Sequence, residues 1–331
     1  MKKLFLSLAA CAAMLSASAS DTWTLGQYDY QADTLFHVTA GPGVTTTGIR
    51  LSSANGANKT NIFYSTIDLT NPNIELRGVQ AKDNGDVVEN VNAMGVRKNQ
   101  QGNGHYIAGV NGDFFNMGGS PTRTNGNSLV DGTLYNAGVG GTFWDTWATY
   151  AVVDGAKDIR LQNGVNAFKS FKFANGDSYA YHVNGDRLAD YLVIYTANDD
   201  ETYTKTNQWG SECAMKLVSG SLDTNDAVFE ITSEPTASGT GGNMHVENGG
   251  YVLSGHGAAG ALIRTLKTGD QVGTSFSVTL NGKEITPRQI VGGCSYIVMN
   301  GQIAPDSYFS EGIIDHFSSN QARTVIGYNE N

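Results

Sequence analysis

The 331-residue sequence predicts an α+β fold, mainly antiparallel or mixed β-sheet with a few packed helices. Three observations carry that expectation. The 41 glycines against 6 prolines, together with 15 tyrosines, favour strands and turns over a helical bundle. Short apolar segments alternate with polar residues at a period near two, as half-exposed antiparallel strands do. Two further segments, 87–98 and 258–266, repeat their apolar residues at helical spacing instead. A hydrophobic content of 40% with 16% charged residues is that of a soluble globular chain long enough to bury a sizeable core.

Residues 1–20 read as a secretory signal: Lys2 and Lys3 form the charged start, 4–15 the apolar stretch, and Ala17, Ser18 and Ala19 the small-residue cleavage site. The apolar stretch is too short to span a membrane, so export to the periplasm or medium is expected and no transmembrane segment. Leu8-Ala9-Ala10-Cys11 also matches a lipobox, which offers Cys11 as an alternative lipid-anchor position. Without the signal the charge is -12, from 31 acids and 19 bases (21 less Lys2 and Lys3). That balance disfavours a nucleic-acid surface. Cys213 and Cys294 then form the only pair of thiols, either bridged or buried and free.

From there the sequence divides into a β-rich region with one helix, 21–104, and a second region, 105–331. Strands are predicted at 35–38, 49–51, 61–69 and 74–79. A helix over 87–98 takes Asp86 as its N-cap and sets Val87, Val88, Val91 and Met94 on one face. The stretch 106–136 follows. It opens as an apolar strand (Tyr106, Ile107, Val110), becomes a glycine-rich polar loop in which Phe114 and Phe115 read as buried, and regains strand character at Leu129 and Val130. Loops this long inside compact domains are usually functional or disordered, and the paired phenylalanines favour function.

Further strands are predicted at 143–153, 192–196 and 214–218, with turns at 183–185 and a solvated acidic turn at Asp199, Asp200 and Glu201. A glycine-bounded segment leads into the helix over 258–266, where Ala258, Leu262 and Leu266 share a face. Its start would offer unpaired backbone N–H groups to an anion. The segment 290–298 reads as two strands broken at Gly292 and Gly293, and Arg323 heads a last β-branched strand.

The side chains suited to chemistry are few. Asp113, between Gly112 and Phe114, either has its carboxyl desolvated by aromatic surface toward acid catalysis or serves as a turn residue bonded to its own loop. Arg323 suits bidentate oxyanion recognition or a structural ion pair. His256 is a turn residue, a base or an anion contact. No P-loop, GxSxG elbow or metal-ligand spacing occurs, so no cofactor is expected, although carboxylates gathered by folding would leave no spacing signature for a divalent cation.

Taken in order, Gly109-Val110-Asn111-Gly112-Asp113-Phe114-Phe115, Asp131-Gly132, Asn184 with Arg187 ahead of Leu192-Val193-Ile194-Tyr195-Thr196, Gly250-Tyr251-Val252-Leu253-Ser254, Val291-Gly292-Gly293 and Arg323-Thr324-Val325-Ile326-Gly327 resemble the phosphodiester glycosidase family. The resemblance implies an exported hydrolase that breaks the anomeric C–O bond of a sugar 1-phosphodiester. A phosphorylated sugar or glycan would be its partner. By carry-over, Arg323 would clamp the phosphate, and Asp113 and Glu212 would stabilise the oxocarbenium-like centre or activate water. Asn111, Gly112, Arg187, His256, Gly292 and Gly293 would bind substrate. Two departures stand out. Asp113 replaces the second glycine of the family's Asn-Gly-Gly-Phe-Phe motif, and no Asp-Gly-Gly-Gly-Ser loop follows Tyr328. The second departure implies an incomplete site and raises the alternative of a non-catalytic phosphoglycan-binding protein.

Overall fold

The computed structural model describes residues 21–25, 27–83, 87–102, 104–115, 124, 126–137, 149–155, 157–184, 186–197, 202–293, 296–303 and 322–329. The signal segment with Cys11, the residues 143–148, the acidic turn at 199–201 and Cys294 lie outside them. The chain divides into two units, Met1–Glu75 with Gly95–Gly109, and Leu76–Met94 with Val110–Asn331.

The first unit is an antiparallel meander of β1 (Asp21–Leu25), β2 (Tyr28–Gly41), β3 (Val44–Ser53) and β4 (Lys59–Ile67), paired in sequence order. Alternation along β3 turns Ile49 and Leu51 to one face, where they bury against Ala32 and pack with Trp23, Tyr30 and Ile62. On the opposite face Gly48 pairs with Phe36 and Phe63, whose rings stack at 6.1 Å. A Cβ on Gly48 would come within 2.5 Å of the Phe36 ring, so the missing side chain is what lets the aromatic ring cover the strand. The strands predicted at 35–38, 49–51 and 61–69 lie in or largely within β2, β3 and β4, whereas 74–79 forms none.

In chain order the rest comprises α1 (Val91–Gln100), β5 (Ser128–Val130), β6 (Thr133–Asn136), β7 (Thr149–Asp154), β8 (Asp158–Gln162), β9 (Val165–Lys172), β10 (Ser178–Val183), β11 (Leu192–Thr196), β12 (Ser211–Ser219), β13 (Val228–Ile231), β14 (Tyr251–Gly255), α2 (Gly257–Ile263), β15 (Gln271–Leu280), β16 (Lys283–Ile285), β17 (Gln289–Gly293) and a short hairpin of β18 (Val298–Met299) and β19 (Gln302–Ile303). Seven of these strands close on themselves. They run β13-β12-β14-β11-β10-β9-β15, and β15 pairs back to β13 through Val228 with Gly273 and Phe229 with Val272. Closure removes the sheet edges that would otherwise need covering. Only the β10–β11 pair is parallel.

This closed barrel corrects the α+β expectation: the fold is β, with just two α-helices among the described residues. The first buries no residue and so forms no packed layer. It begins at Val91 rather than Val87, where Asn90 supplies the cap, its Oδ1 accepting the Ala93 N–H at 2.8 Å; Asp86, the cap expected from sequence, lies outside the described residues. The second is a two-turn plug. Ala259 and Ile263, with Leu266 beyond its end, sit in the barrel core beside Phe171, Leu192, Ile194, Cys213, Met215, Phe229 and Leu253.

Strand β11 is buried on both faces. Leu192 and Ile194 point into the barrel, while Val193 and Tyr195 point outward into a cluster with Val246 and Val252. The long β9 and β15 keep one face buried throughout but serve two cores. Phe171 and Val272 fill the barrel, whereas Val165, Ala167 and Val278 pack against Leu129, Leu134, Val152 and Ile290. Those last residues belong to a five-stranded sheet of order β6-β5-β17-β7-β8. Asn225, 3% exposed, ties the two layers, accepting from the Tyr181 hydroxyl at 3.0 Å and donating to the Leu134 carbonyl at 2.9 Å. The barrel and this sheet present the site residues.

Candidate functional site

The start of the predicted loop lies against β17. The Asp113 N–H donates to the Gly292 carbonyl at 3.0 Å. Gly112 permits that approach, since a Cβ there would lie 2.3 Å from Val291 Cγ1. Asp113 has φ 62°, a left-handed conformation that Asp and Asn tolerate better than other side chains. The position where the resembled motif carries glycine is thus one where glycine would be at ease. Its carboxylate accepts the backbone N–H groups of Phe114 at 2.6 Å and Gly126 at 3.1 Å. It also rests on the bare Cα of Gly292, where a Cβ would come within 2.5 Å of Oδ2. Burial pushes the Asp113 carboxyl up to about 6, against the opposing pull of those two N–H groups.

A third segment reaches the same place. The Thr324 hydroxyl donates to Asn111 Oδ1 at 2.6 Å across 213 positions of sequence. Arg323, an exposed residue, is thereby held next to the residue that touches Asn111, its Nη1 donating to the Ala322 carbonyl at 3.2 Å. Asn111, Gly112, Asp113, Gly292 and the Arg323-Thr324 segment are therefore gathered by folding. Gly293 follows on β17 and is exposed. Some details differ from expectation. Residues 106–110 and 322–329 form no strand. Phe114 and Phe115 are 41% and 46% exposed. Gly292 continues β17 rather than breaking it, and the group its missing side chain admits is the Asp113 carboxylate.

Glu212, Arg187 and His256 belong to a different part of the fold. Glu212 lies on β12 opposite Ser254 of β14, on the outer barrel wall, and is 0% exposed. Its Oε1 accepts from the hydroxyls of Thr206 and Ser254, both at 2.7 Å, and Oε2 accepts the Met244 N–H at 3.1 Å. Arg187 adds an ion pair at 3.5 Å, its side chain only 2% exposed. Its guanidinium also donates to Ser254 Oγ at 2.9 Å and to the Asn207 carbonyl at 2.6 Å, while Nε has no partner. Gly210 seals this group, for a Cβ there would lie 2.3 Å from Arg187 Nη1. Desolvation draws the Arg187 pKa down, and Glu212 opposes it. The hydrogen bonds of Glu212 thus run to barrel and covering-loop residues, not to Asp113 or its neighbours.

His256 precedes α2 without capping it through its side chain. Its backbone N–H donates to the Tyr191 carbonyl at 3.2 Å, and its Nδ1 is buried without a partner. The helix start does not offer the open anion site expected from sequence, because Asp190 Oδ1 already accepts the Ala258 N–H at 2.7 Å. Cys213 is a free, buried thiol that burial pushes up to about 12, which makes it unreactive. Sequence reasoning did not single out Thr206, Asn207, Gly126 or Thr324. Thr324 alone had a signal, being adjacent to Arg323.

Among the described residues, no group of His, Cys, Asp and Glu is arranged to hold a metal ion, and no helix is long and apolar enough to cross a membrane. No protein-family model and no curated protein matches the chain. The structure does resemble the crystal structure of a protein designated as exported, from Burkholderia pseudomallei K96243. The TM-score is 0.53, with 14% identity over 82% of this chain and 74% of that one. At that identity the likeness is one of fold.

Proposed function

We propose that this chain is an exported hydrolase of sugar 1-phosphodiesters, with its site on the Asn111–Asp113 segment, β17 and the Arg323-Thr324 segment. The observation that carries the proposal is the Thr324–Asn111 hydrogen bond together with the seating of Asp113 on Gly292. Three segments far apart in sequence, each part of the resemblance, are brought to one place. Export rests on the signal-like residues 1–20 and fits a fold shared with a protein designated as exported.

The chemistry suits the residues present. Water adds to the anomeric carbon as its C–O bond breaks, and the pair of bonding electrons leaves with a phosphomonoester. That leaving group is a weak base, so a strong general acid matters less than charge-assisted hydrogen bonds to the phosphate. Arg323 supplies such a bond, worth about 1.5 to 3 kcal/mol. Asp113, poised near pH 6, takes the proton of the attacking water or steadies the developing positive charge.

One observation favours a second reading, a phosphoglycan-binding protein without turnover. Glu212 is sealed under its own hydrogen-bond partners, which among the described residues leaves Asp113 as the only carboxylate of the gathered group. A panel of sugar 1-phosphodiesters offered to the full chain separates the two. Turnover that falls 10- to 150-fold in kcat/KM in Arg323→Ala supports hydrolysis. Binding without turnover supports the second reading, and unchanged kcat/KM in Arg323→Ala contradicts the assigned clamp.

A further inference from the structure

We infer that Thr324 is a positioning residue that orients the Asn111 amide, so that its NH2 group is the side presented to an acceptor oxygen such as those of a phosphate. The inference rests on the location of the proposed site and extends it to the selection of ligand chemistry. A threonine hydroxyl has one proton to give, and an asparagine amide carries one acceptor oxygen and a two-donor NH2 group. The Thr324 proton is spent on Asn111 Oδ1 at 2.6 Å. That bond turns Oδ1 toward Thr324 and leaves the NH2 group on the other side of the amide. A free Asn could rotate its amide to meet either a hydroxyl proton or a phosphoryl oxygen. One held by Thr324 keeps its donor side turned away from Thr324, where an acceptor such as a phosphoryl oxygen can meet it.

The setting reinforces that polarity. Arg323, adjacent to Thr324, is also a donor without acceptor capacity. The anionic neighbour on the segment, Asp113, directs its two oxygens to the Phe114 and Gly126 N–H groups. In metal sites, outer residues that fix the orientation of a ligating side chain commonly change affinity 10- to 100-fold when lost, and Thr324 stands in the same relation to Asn111.

The test uses Thr324→Val and Thr324→Ser in the full chain, with two probes. The first is a sugar 1-phosphodiester, read as separate kcat and KM. The second is inorganic phosphate, read as Kd by calorimetry. Thr324→Val is expected to raise KM and the phosphate Kd about tenfold with kcat within about twofold, and Thr324→Ser, which keeps the hydroxyl, to stay within about twofold of the parent in both. An unchanged phosphate Kd in Thr324→Val overturns the inference. So does Thr324→Ser behaving like Thr324→Val, since the missing methyl would then matter rather than the proton, and so does a parent chain that binds no phosphate. Phosphate binding that weakens in Thr324→Val while the parent turns over no diester upholds the inference and contradicts only the hydrolase reading.

Discussion

Asp113→Asn is the substitution whose consequence can be worked furthest. Its carboxyl is raised from an ordinary value of 3.8 to about 6 by burial. The folded chain therefore takes up that proton more readily than the unfolded chain. The contribution to stability is fully present below pH 3.8 and is lost as pH rises through about 6. The whole change corresponds to roughly 3 kcal/mol, of which roughly 2 kcal/mol falls between pH 4.5 and 7.5. Asparagine has the same shape but does not titrate. It cannot accept both the Phe114 and Gly126 N–H groups, and the cost of the one it leaves unpaired is the same at every pH. Urea unfolding of parent and variant at a series of pH values isolates the effect, because the other carboxylates titrate alike in both chains and cancel. The variant should gain about 2 kcal/mol on the parent from pH 4.5 to 7.5. A difference that stays flat, or moves the other way, refutes the account of Asp113 as a desolvated carboxyl.

Other substitutions test the remaining pieces. Gly292→Ala has no unfavourable backbone to contend with, since Gly292 lies in extended β17, but its Cβ would come within 2.5 Å of Asp113 Oδ2. It should cost about 1.5 to 3 kcal/mol in urea unfolding through a lost charge-assisted hydrogen bond, and much less in an Asp113→Ala background. Glu212→Gln leaves the buried Arg187 without its counter-charge and turns a donor toward the Met244 N–H. About 3 to 5 kcal/mol of stability should be lost, while kcat of the protein that remains folded stays within about threefold of the parent. A kcat collapse with unchanged stability would instead return Glu212 to the reaction.

What was legible in the sequence follows from what each segment decides locally. The period-two runs of β3 and the doubly buried β11 declared themselves because alternation and β-branching are local properties. Barrel closure did not, since the β13–β15 pairing depends on the register of strands more than forty positions apart. The same gap explains the fold-class error: the helical spacing at 258–266 is real, but no local signal says that such a helix is a plug and not a layer. At the site, the neighbourhood of Asn111, Asp113, Gly292 and Arg323 was expected from resemblance, and folding gathers those segments. Glu212 was read as a candidate carboxylate because nothing near it in sequence announces Arg187, 25 positions earlier, as its partner. Phe114, Phe115, Val325 and Tyr328 read as buried or strand-forming from side-chain type alone, yet they are exposed; apolar character does not by itself place a residue inside.

The central claim concerns which bond the gathered site breaks, and isotope placement tests it most directly. A sugar 1-phosphodiester turned over by the full chain in oxygen-18 water should yield sugar carrying the label at its anomeric oxygen and an unlabelled phosphomonoester. Label in the phosphate would mean cleavage at phosphorus, and no turnover of any diester would leave binding as the site's task; either result contradicts the hydrolase assigned here.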